Sequence, residues 1–120
     1  MDQYDYEEYR ALELGDVVHV NDEYGNGKGH WYVVTGNNPL SGRIEGLQIN
    51  RQRNSQHDSF PLEVDDTMNR YGDRPILNQN SFVKIEIYEF PYNQIGNYCG
   101  YVLNDAMRNI IDESKKKLGR

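Results

Sequence analysis

Apolar and polar residues alternate along several short stretches of this chain, which is the pattern of strands that bury one face. The clearest alternation covers residues 81–88. Residues 31–35 and 44–49 flank the turn-rich segment 37–42, so together they predict a hairpin. Shorter strands are predicted at residues 17–20, 60–64 and 98–102. The pattern therefore indicates five or six short strands.

After the last predicted strand, the apolar residues recur at helical spacing instead. These positions are Met107, Ile110, Ile111 and Leu118. Asn104 precedes them and is a favourable N-cap, and the lysines at 115–117 complement the negative end of a helix dipole. The segment 104–118 is therefore predicted to form an amphipathic helix that packs on the sheet.

The predicted strands come first and one helix comes last. The sequence contains no internal repeat and no linker. At 120 residues the chain has the size of one domain. We therefore predict a mainly β fold, a small SH3-like barrel of five or six antiparallel strands with a C-terminal helix. Within the single domain 1–120, an acidic arm covers residues 1–13, the barrel 14–103 and the helix 104–118.

Charge is distributed unevenly along the chain, whose net charge is −6. Residues 2–23 carry eight acids and one base, Arg10, together with several tyrosines. The acidic arm, residues 1–13, is either a solvated terminus or a segment that binds a partner or mimics nucleic acid. Residues 43–57 reverse the balance with three arginines, one histidine and one glutamate, so a local patch could hold a few phosphates.

Several classes of protein are excluded by what the sequence lacks. No apolar run approaches the roughly 20 residues of a membrane span, and the N-terminus is acidic rather than a basic leader, so we expect a cytoplasmic protein with no membrane partner. Cys99 is the single cysteine, which leaves no internal disulfide. Three isolated histidines do not form a metal site, so neither a metal nor another cofactor is expected.

Several local strings, in this order, resemble those of the MazF/PemK family of bacterial toxins. The strings are Leu14-Gly15-Asp16-Val17-Val18, Gly29-His30 before Val33-Val34, Pro61-Leu62-Glu63-Val64, Ser81-Phe82-Val83 and Leu103-Asn104-Asp105-Ala106-Met107. They are similar to the family's G-D-[IV]-[VW] strand, its G-H-R-P-x-[LV]-V segment, its P-[FT]-x-V and S-[FY]-[VI] strands, and the start of its last helix. The resemblance covers nearly the whole chain from residue 14 onward.

The resemblance implies a metal-independent endoribonuclease of a toxin-antitoxin module, acting on single-stranded RNA as a homodimer and neutralised by an antitoxin. In the family, the Arg of G-H-R-P and a Thr or Ser after the third strand supply much of the chemistry. This sequence departs at both places. His30 or Trp31 stands where the Arg is expected, and no Thr-Ser pair follows the third predicted strand.

A rebuilt catalytic set is one interpretation of these departures. His30 would act as base or acid, Arg51 or Arg53 would bind the scissile phosphate, and Ser55 or His57 would assist. Arg51 and Arg53 share a face if the strand continues through them. The predicted RNA-binding residues are Lys28, Trp31, Arg43, Asn54 and His57. His19, in the first predicted strand, is interpreted as structural.

The alternative interpretation is a barrel that has kept the fold without the chemistry. Such a degenerate toxin, which a phage could carry, would act as a protein-binding module or inhibitor. The related CcdB toxins use this barrel to poison DNA gyrase without cutting it, so the fold alone does not fix the function.

Overall fold

The computed structural model describes residues 8–21, 29–53 and 58–119. This part of the chain forms seven strands, two short 3-10 turns and one long C-terminal helix. The strands are β1 (Asp16–Val20), β2 (His30–Asn38), β3 (Arg43–Asn50), β4 (Ser59–Leu62), β5 (Thr67–Asn69), β6 (Ser81–Pro91) and β7 (Ile95–Val102). The 3-10 turns are Val64–Asp66 and Tyr92–Gln94, and the C-terminal helix is Asn104–Leu118.

The strands form one antiparallel sheet in the order β4-β6-β3-β2-β1-β7-β5. The mainly β fold with a C-terminal helix is therefore confirmed, and the predicted hairpin is β2 paired with β3. The sheet has seven strands where the sequence predicted five or six. The additional strand, β5, is three residues long and has no alternating pattern of its own, because its position is set by pairing with β7, as in Thr67 opposite Val102.

Both faces of the curled sheet carry buried apolar residues. Neighbouring residues of a strand point to opposite faces, so Val17 and Val33 belong to one core while Val18 and Val34 belong to the other. The first core also contains Met107 and Ile110 from the C-terminal helix. The second core contains Tyr32 and Phe90, whose ring centroids are 4.7 Å apart.

The N-terminal segment closes the second core. Tyr9 and Leu12 are buried there, and the Asn37 side-chain amide donates hydrogen bonds to the backbone oxygens of both residues, at 2.9 and 3.1 Å. The interpretation of the arm as a solvated terminus is therefore wrong at these two positions, because their side chains complete a core. Residues 1–7 lie outside the described part of the chain.

The C-terminal helix begins differently from the prediction. Leu103, not Asn104, is the N-cap: it is extended (φ −65°, ψ 152°), and no side chain caps the helix there. Asn104 is instead the first helical residue. At the other end, Gly119 adopts the left-handed conformation and donates its N–H to the Lys115 carbonyl. Among the described residues, no helix has both the length and the apolar character that crossing a bilayer requires.

Candidate active site

A cavity of about 590 Å³ lies where one end of β1, β2 and β3 meets the connection between β5 and β6. The strands contribute His19, His30, Trp31 and Ile49, while Asn50 and Arg51 border the cavity at the end of β3. Asn78 comes from the β5–β6 connection. We call this the histidine cavity. None of the described residues that line it is acidic, so its wall favours an anionic ligand.

The register of the sheet places three of these side chains in one row. His19 of β1 is opposite Trp31 of β2, and Trp31 is opposite Ile49 of β3. Directly paired residues in an antiparallel sheet project from the same face. The row therefore combines an imidazole with a partly buried indole above the first core.

His30 borders the same cavity from the adjoining position of β2. Its ring contacts the ring of Tyr32 edge-on, with the centroids 6.4 Å apart. Tyr32 is fully buried in the second core, where its hydroxyl accepts a hydrogen bond of 3.0 Å from the Gln48 side-chain amide. The His30 ring therefore lies on the second-core side of β2, on the opposite face from the row that contains His19 and Trp31. Of the adjacent pair Trp31 and Tyr32, the tyrosine is the core residue.

His19 was interpreted from the sequence as structural, and the structure places it in the cavity wall. Its ring lies between two glycines. A Cβ at Gly29 would be 2.9 Å from His19 Cε1, and one at Gly96 would be 3.3 Å from His19 Nδ1. The His19 ring fits here because Gly29 and Gly96 have no side chains. The sequence contained only an indirect signal that His19 belongs to the cavity. Pairing the first predicted strand with the second would have placed His19 beside Trp31.

Arg51 lies just beyond the end of β3 and borders the cavity. The condition under which Arg51 and Arg53 would share a strand face is not met, because β3 ends at Asn50 and the chain bends there. Arg53 is exposed and is not among the residues that line the cavity. Its proposed role in binding phosphate stays a prediction.

Arg43 lies at the opposite end of β3, roughly 25 Å from Arg51 along an extended chain of this length. It borders a second cavity of about 460 Å³ together with Glu45 and Glu89, which we call the glutamate cavity. Arg43 Nε is 4.0 Å from Glu89 Oε2. Four further predicted residues, Lys28, Asn54, Ser55 and His57, lie outside the described residues.

Metal-ligating and nucleophilic groups do not add to this site. The described residues contain no cluster of three or more His, Cys, Asp or Glu side chains that could hold a metal ion. Burial raises the pKa of the Cys99 thiol, which keeps it protonated at neutral pH and therefore a poor nucleophile. The chemistry available in the histidine cavity is proton transfer by imidazole, charge stabilisation by guanidinium and stacking on indole.

The curled seven-stranded sheet with its C-terminal helix is the fold of the MazF toxins. A solved endoribonuclease in complex with its cognate antitoxin, from mycobacterial species, is 18% identical and matches 91% of this chain and 96% of that chain with a TM-score of 0.68. The Mycobacterium tuberculosis toxin MazF-mt6 is 14% identical over 82% of this chain and 90% of its own, with a TM-score of 0.60. No protein-family model and no curated protein matches the sequence.

Proposed function

We propose that this protein is an endoribonuclease that cleaves single-stranded RNA without a metal ion. The observation that carries the proposal is the histidine cavity, which brings together His19, His30, Trp31 and Arg51 from three separate segments. The absence of acidic side chains among its described lining residues suits a polyanionic substrate. The MazF-like fold and the endoribonuclease names of two structural neighbours support the same activity.

The reaction needs three groups. A base removes the proton from the ribose 2′-hydroxyl, whose oxygen then attacks the adjacent phosphorus. Cations or hydrogen-bond donors stabilise the negative charge of the phosphorane, and an acid protonates the 5′-oxygen as its bond to phosphorus breaks. The products are a 2′,3′-cyclic phosphate and a free 5′-hydroxyl. This reaction requires no oxidant, reductant or metal.

The cavity contains a candidate for each group. Imidazole exchanges protons near neutral pH, so His19 in the cavity wall is assigned as one proton-transfer group. His30, which borders the cavity with its ring on the other face of β2, is assigned as the second. The Arg51 guanidinium can bind two phosphate oxygens at once and stabilise the phosphorane. The Trp31 indole offers a face on which an unpaired base can stack. Residues 54–57, which include Ser55 and His57, follow Arg51 closely and remain candidates for assisting it.

Two macromolecular partners accompany this proposal. The solved neighbour that contains an endoribonuclease with its cognate antitoxin supports an antitoxin as the protein partner of this chain. A homodimer is the assembly that the sequence resemblance implies. Light scattering of the purified protein, alone and after coexpression with a candidate antitoxin, tests both partners.

The test is to incubate the purified protein with a long single-stranded RNA in EDTA and to map the cut ends. We expect discrete cuts that carry 2′,3′-cyclic phosphate. Arg51→Ala should reduce the cleavage rate by about 10² to 10³-fold, the usual effect of removing one group that stabilises transition-state charge. Arg108→Ala, on the exposed side of the C-terminal helix, is the matched control. Circular dichroism verifies that each variant is folded.

Intact RNA at high concentrations of folded protein would contradict the nuclease and favour the protein-binding module. Cuts that disappear on adding EDTA would contradict metal independence. Arg43 stays a candidate RNA contact, but because it shares its cavity with two glutamates, Arg43→Ala should weaken RNA binding less than Arg51→Ala does.

A further inference from the structure

Tyr71, in the connection between β5 and β6, presents an aromatic ring to solvent. The side chain is 78% exposed, and it is the only aromatic residue among the large apolar side chains that the described part of the chain exposes. An isolated exposed ring is common on protein surfaces. What distinguishes Tyr71 is the turn that carries it and the cation beside it.

The turn is fixed by Asn69. The Asn69 side-chain oxygen accepts hydrogen bonds from the backbone N–H groups of Tyr71 and Asp73, at 3.1 and 3.2 Å. The Asn69 amide also donates to the Asp73 carboxylate, and Gly72, in the left-handed conformation, donates its N–H to the Asn69 carbonyl. The ring is therefore presented on a preorganised backbone, which lowers the entropy lost on binding.

Arg70 places a guanidinium between two aromatic rings. Its Cζ atom is 5.6 Å from the ring centroid of Tyr71 and 5.7 Å from that of Tyr98 on β7. Cation–π contact of this kind holds an arginine near a ring while its N–H groups stay available to acceptors. The Arg70 backbone N–H is in turn bonded to the Cys99 carbonyl at 2.9 Å, so the arginine is fixed to β7.

Arg70, Tyr71 and Tyr98 form this surface, and the segments that carry them are connected to segments that line the histidine cavity. The connection that carries Tyr71 continues to Asn78, which lines the cavity. On the other side, β7 pairs with β1, and His19 is opposite Asn97, the residue before Tyr98. The surface and the cavity are therefore carried by consecutive and paired segments, although Tyr98 packs against the second core and the His19–Trp31 row lies above the first.

We propose that this surface binds a second, unpaired segment of the RNA strand outside the histidine cavity, with one base stacked on Tyr71 and a phosphate bound by Arg70. The inference rests on the proposed RNA substrate and extends it to a longer recognition site. RNA is favoured over a protein partner because the surface joins an exposed ring face to a guanidinium, the combination that binds single strands without sequence preference. Its neighbours are Asn69, Asp73 and Arg74 along the chain and Asp16 and Tyr101 near Tyr98, and they do not form the contiguous apolar patch typical of a protein interface.

The experiment uses 2′-O-methyl oligonucleotides, which cannot be cleaved because the attacking hydroxyl is blocked. Fluorescence anisotropy measures their binding, and the single tryptophan, Trp31, reports occupancy of the cavity directly. Oligonucleotides of about 4 and about 12 nucleotides span the range of site sizes known for single-strand binders. The shorter strand should fill the cavity alone, and the longer one should reach both sites.

We expect Tyr71→Ala to weaken binding of the longer strand by about tenfold, the loss typical of one stacked base, while binding of the shorter strand is unchanged. Tyr71→Phe should keep the affinity because it keeps the ring. Arg70→Ala should weaken binding of the longer strand and lessen its dependence on salt. Leu40→Ala, at a fully exposed residue in the β2–β3 turn, is the control for removing an exposed apolar side chain.

Wild-type affinity for the longer strand in both Tyr71→Ala and Arg70→Ala would overturn the proposal. Failure of the nuclease is distinguishable: loss of affinity in these variants, with no cleavage of ordinary RNA by the wild type, would contradict the catalytic function and leave the second site supported. No binding of either oligonucleotide by the wild-type protein would overturn both. Specific binding of a protein at Tyr71, with unchanged RNA affinity, would also overturn the proposal.

Discussion

The two ends of the β2–β3 hairpin carry cavities of similar size and opposite electrostatic character. At the start of β2 and the end of β3, the histidine cavity is bordered by His19, His30 and Arg51, with no acidic residue among its described lining residues. At the other end, the glutamate cavity sets Arg43 beside Glu89, and Glu45 accepts a hydrogen bond of 3.1 Å from Thr35. Only the first cavity has the net positive wall that an RNA phosphate needs.

The difference shows that an arginine in a cavity does not by itself indicate a phosphate site. Arg43 and Arg51 have the same chemistry and lie in the same basic stretch of sequence, yet the sheet separates them and gives them different neighbours. A carboxylate beside a guanidinium already neutralises it, so a phosphate gains less by binding there. The following substitutions test this contrast.

The largest effect is expected from the histidines. His19→Ala and His30→Ala should each lower the cleavage rate by about 10² to 10⁴-fold, the usual contribution of a general acid or base. The measurement is single-turnover cleavage of an RNA, together with the affinity for an uncleavable 2′-O-methyl strand. Lost cleavage with unchanged affinity is expected of a proton-transfer group. Equal loss of cleavage and affinity in the His19 variant would return that residue to a structural role.

Two glycines, one at each end of the β2–β3 hairpin, test how much space the backbone leaves beside each cavity. At Gly29 (φ 73°) a Cβ would be 2.3 Å from the Val20 carbonyl oxygen, whereas at Gly36 it would be 3.4 Å from the Glu45 side chain. The left-handed backbone alone costs about 1–2 kcal/mol for a residue with a side chain. We expect Gly29→Ala to lower the free energy of unfolding by about 2–4 kcal/mol and to reduce cleavage by displacing His19. Gly36→Ala should change that free energy by less than about 1 kcal/mol.

Urea unfolding of both variants, followed by circular dichroism, measures these free energies. The comparison fails if Gly29→Ala is as stable as Gly36→Ala, because the cavity end would then tolerate a side chain that the geometry excludes.

The sequence could predict those parts of the fold that depend on local patterns. Alternation over residues 81–88 and helical spacing after Asn104 correspond to β6 and the C-terminal helix. It could not predict β5, whose three residues are held by β7, or the role of His19 in the cavity wall, because both depend on pairing between segments distant in sequence. The sequence also could not predict that β3 ends at Asn50, because the residues that follow are all polar and show no alternation that would mark the end of a strand.

Adding a carboxylate to each cavity tests the electrostatic contrast directly. Asn78→Asp places a negative charge in the histidine cavity at nearly constant size, so RNA affinity should fall by about tenfold. Asn38→Asp adds the same charge to the glutamate cavity and keeps the oxygen that accepts the Leu40 and Ser41 N–H groups. Its effect on affinity should be less than about twofold, since that charge is more than a Debye length from Arg51. Equal losses in the two variants, measured by anisotropy, would mean that only total charge matters.

The smallest effect is expected from the ion pair of the glutamate cavity. Arg43 and Glu89 are 4.0 Å apart with side chains 45% and 63% exposed, so solvent screens their attraction. Glu89→Gln should therefore change the free energy of unfolding by less than about 0.5 kcal/mol. The same substitution makes that cavity less acidic, and RNA affinity should rise slightly if Arg43 becomes available to phosphate. A gain comparable in size to the loss in Arg51→Ala would show that Glu89, rather than the geometry of the hairpin, is what keeps RNA from the second cavity.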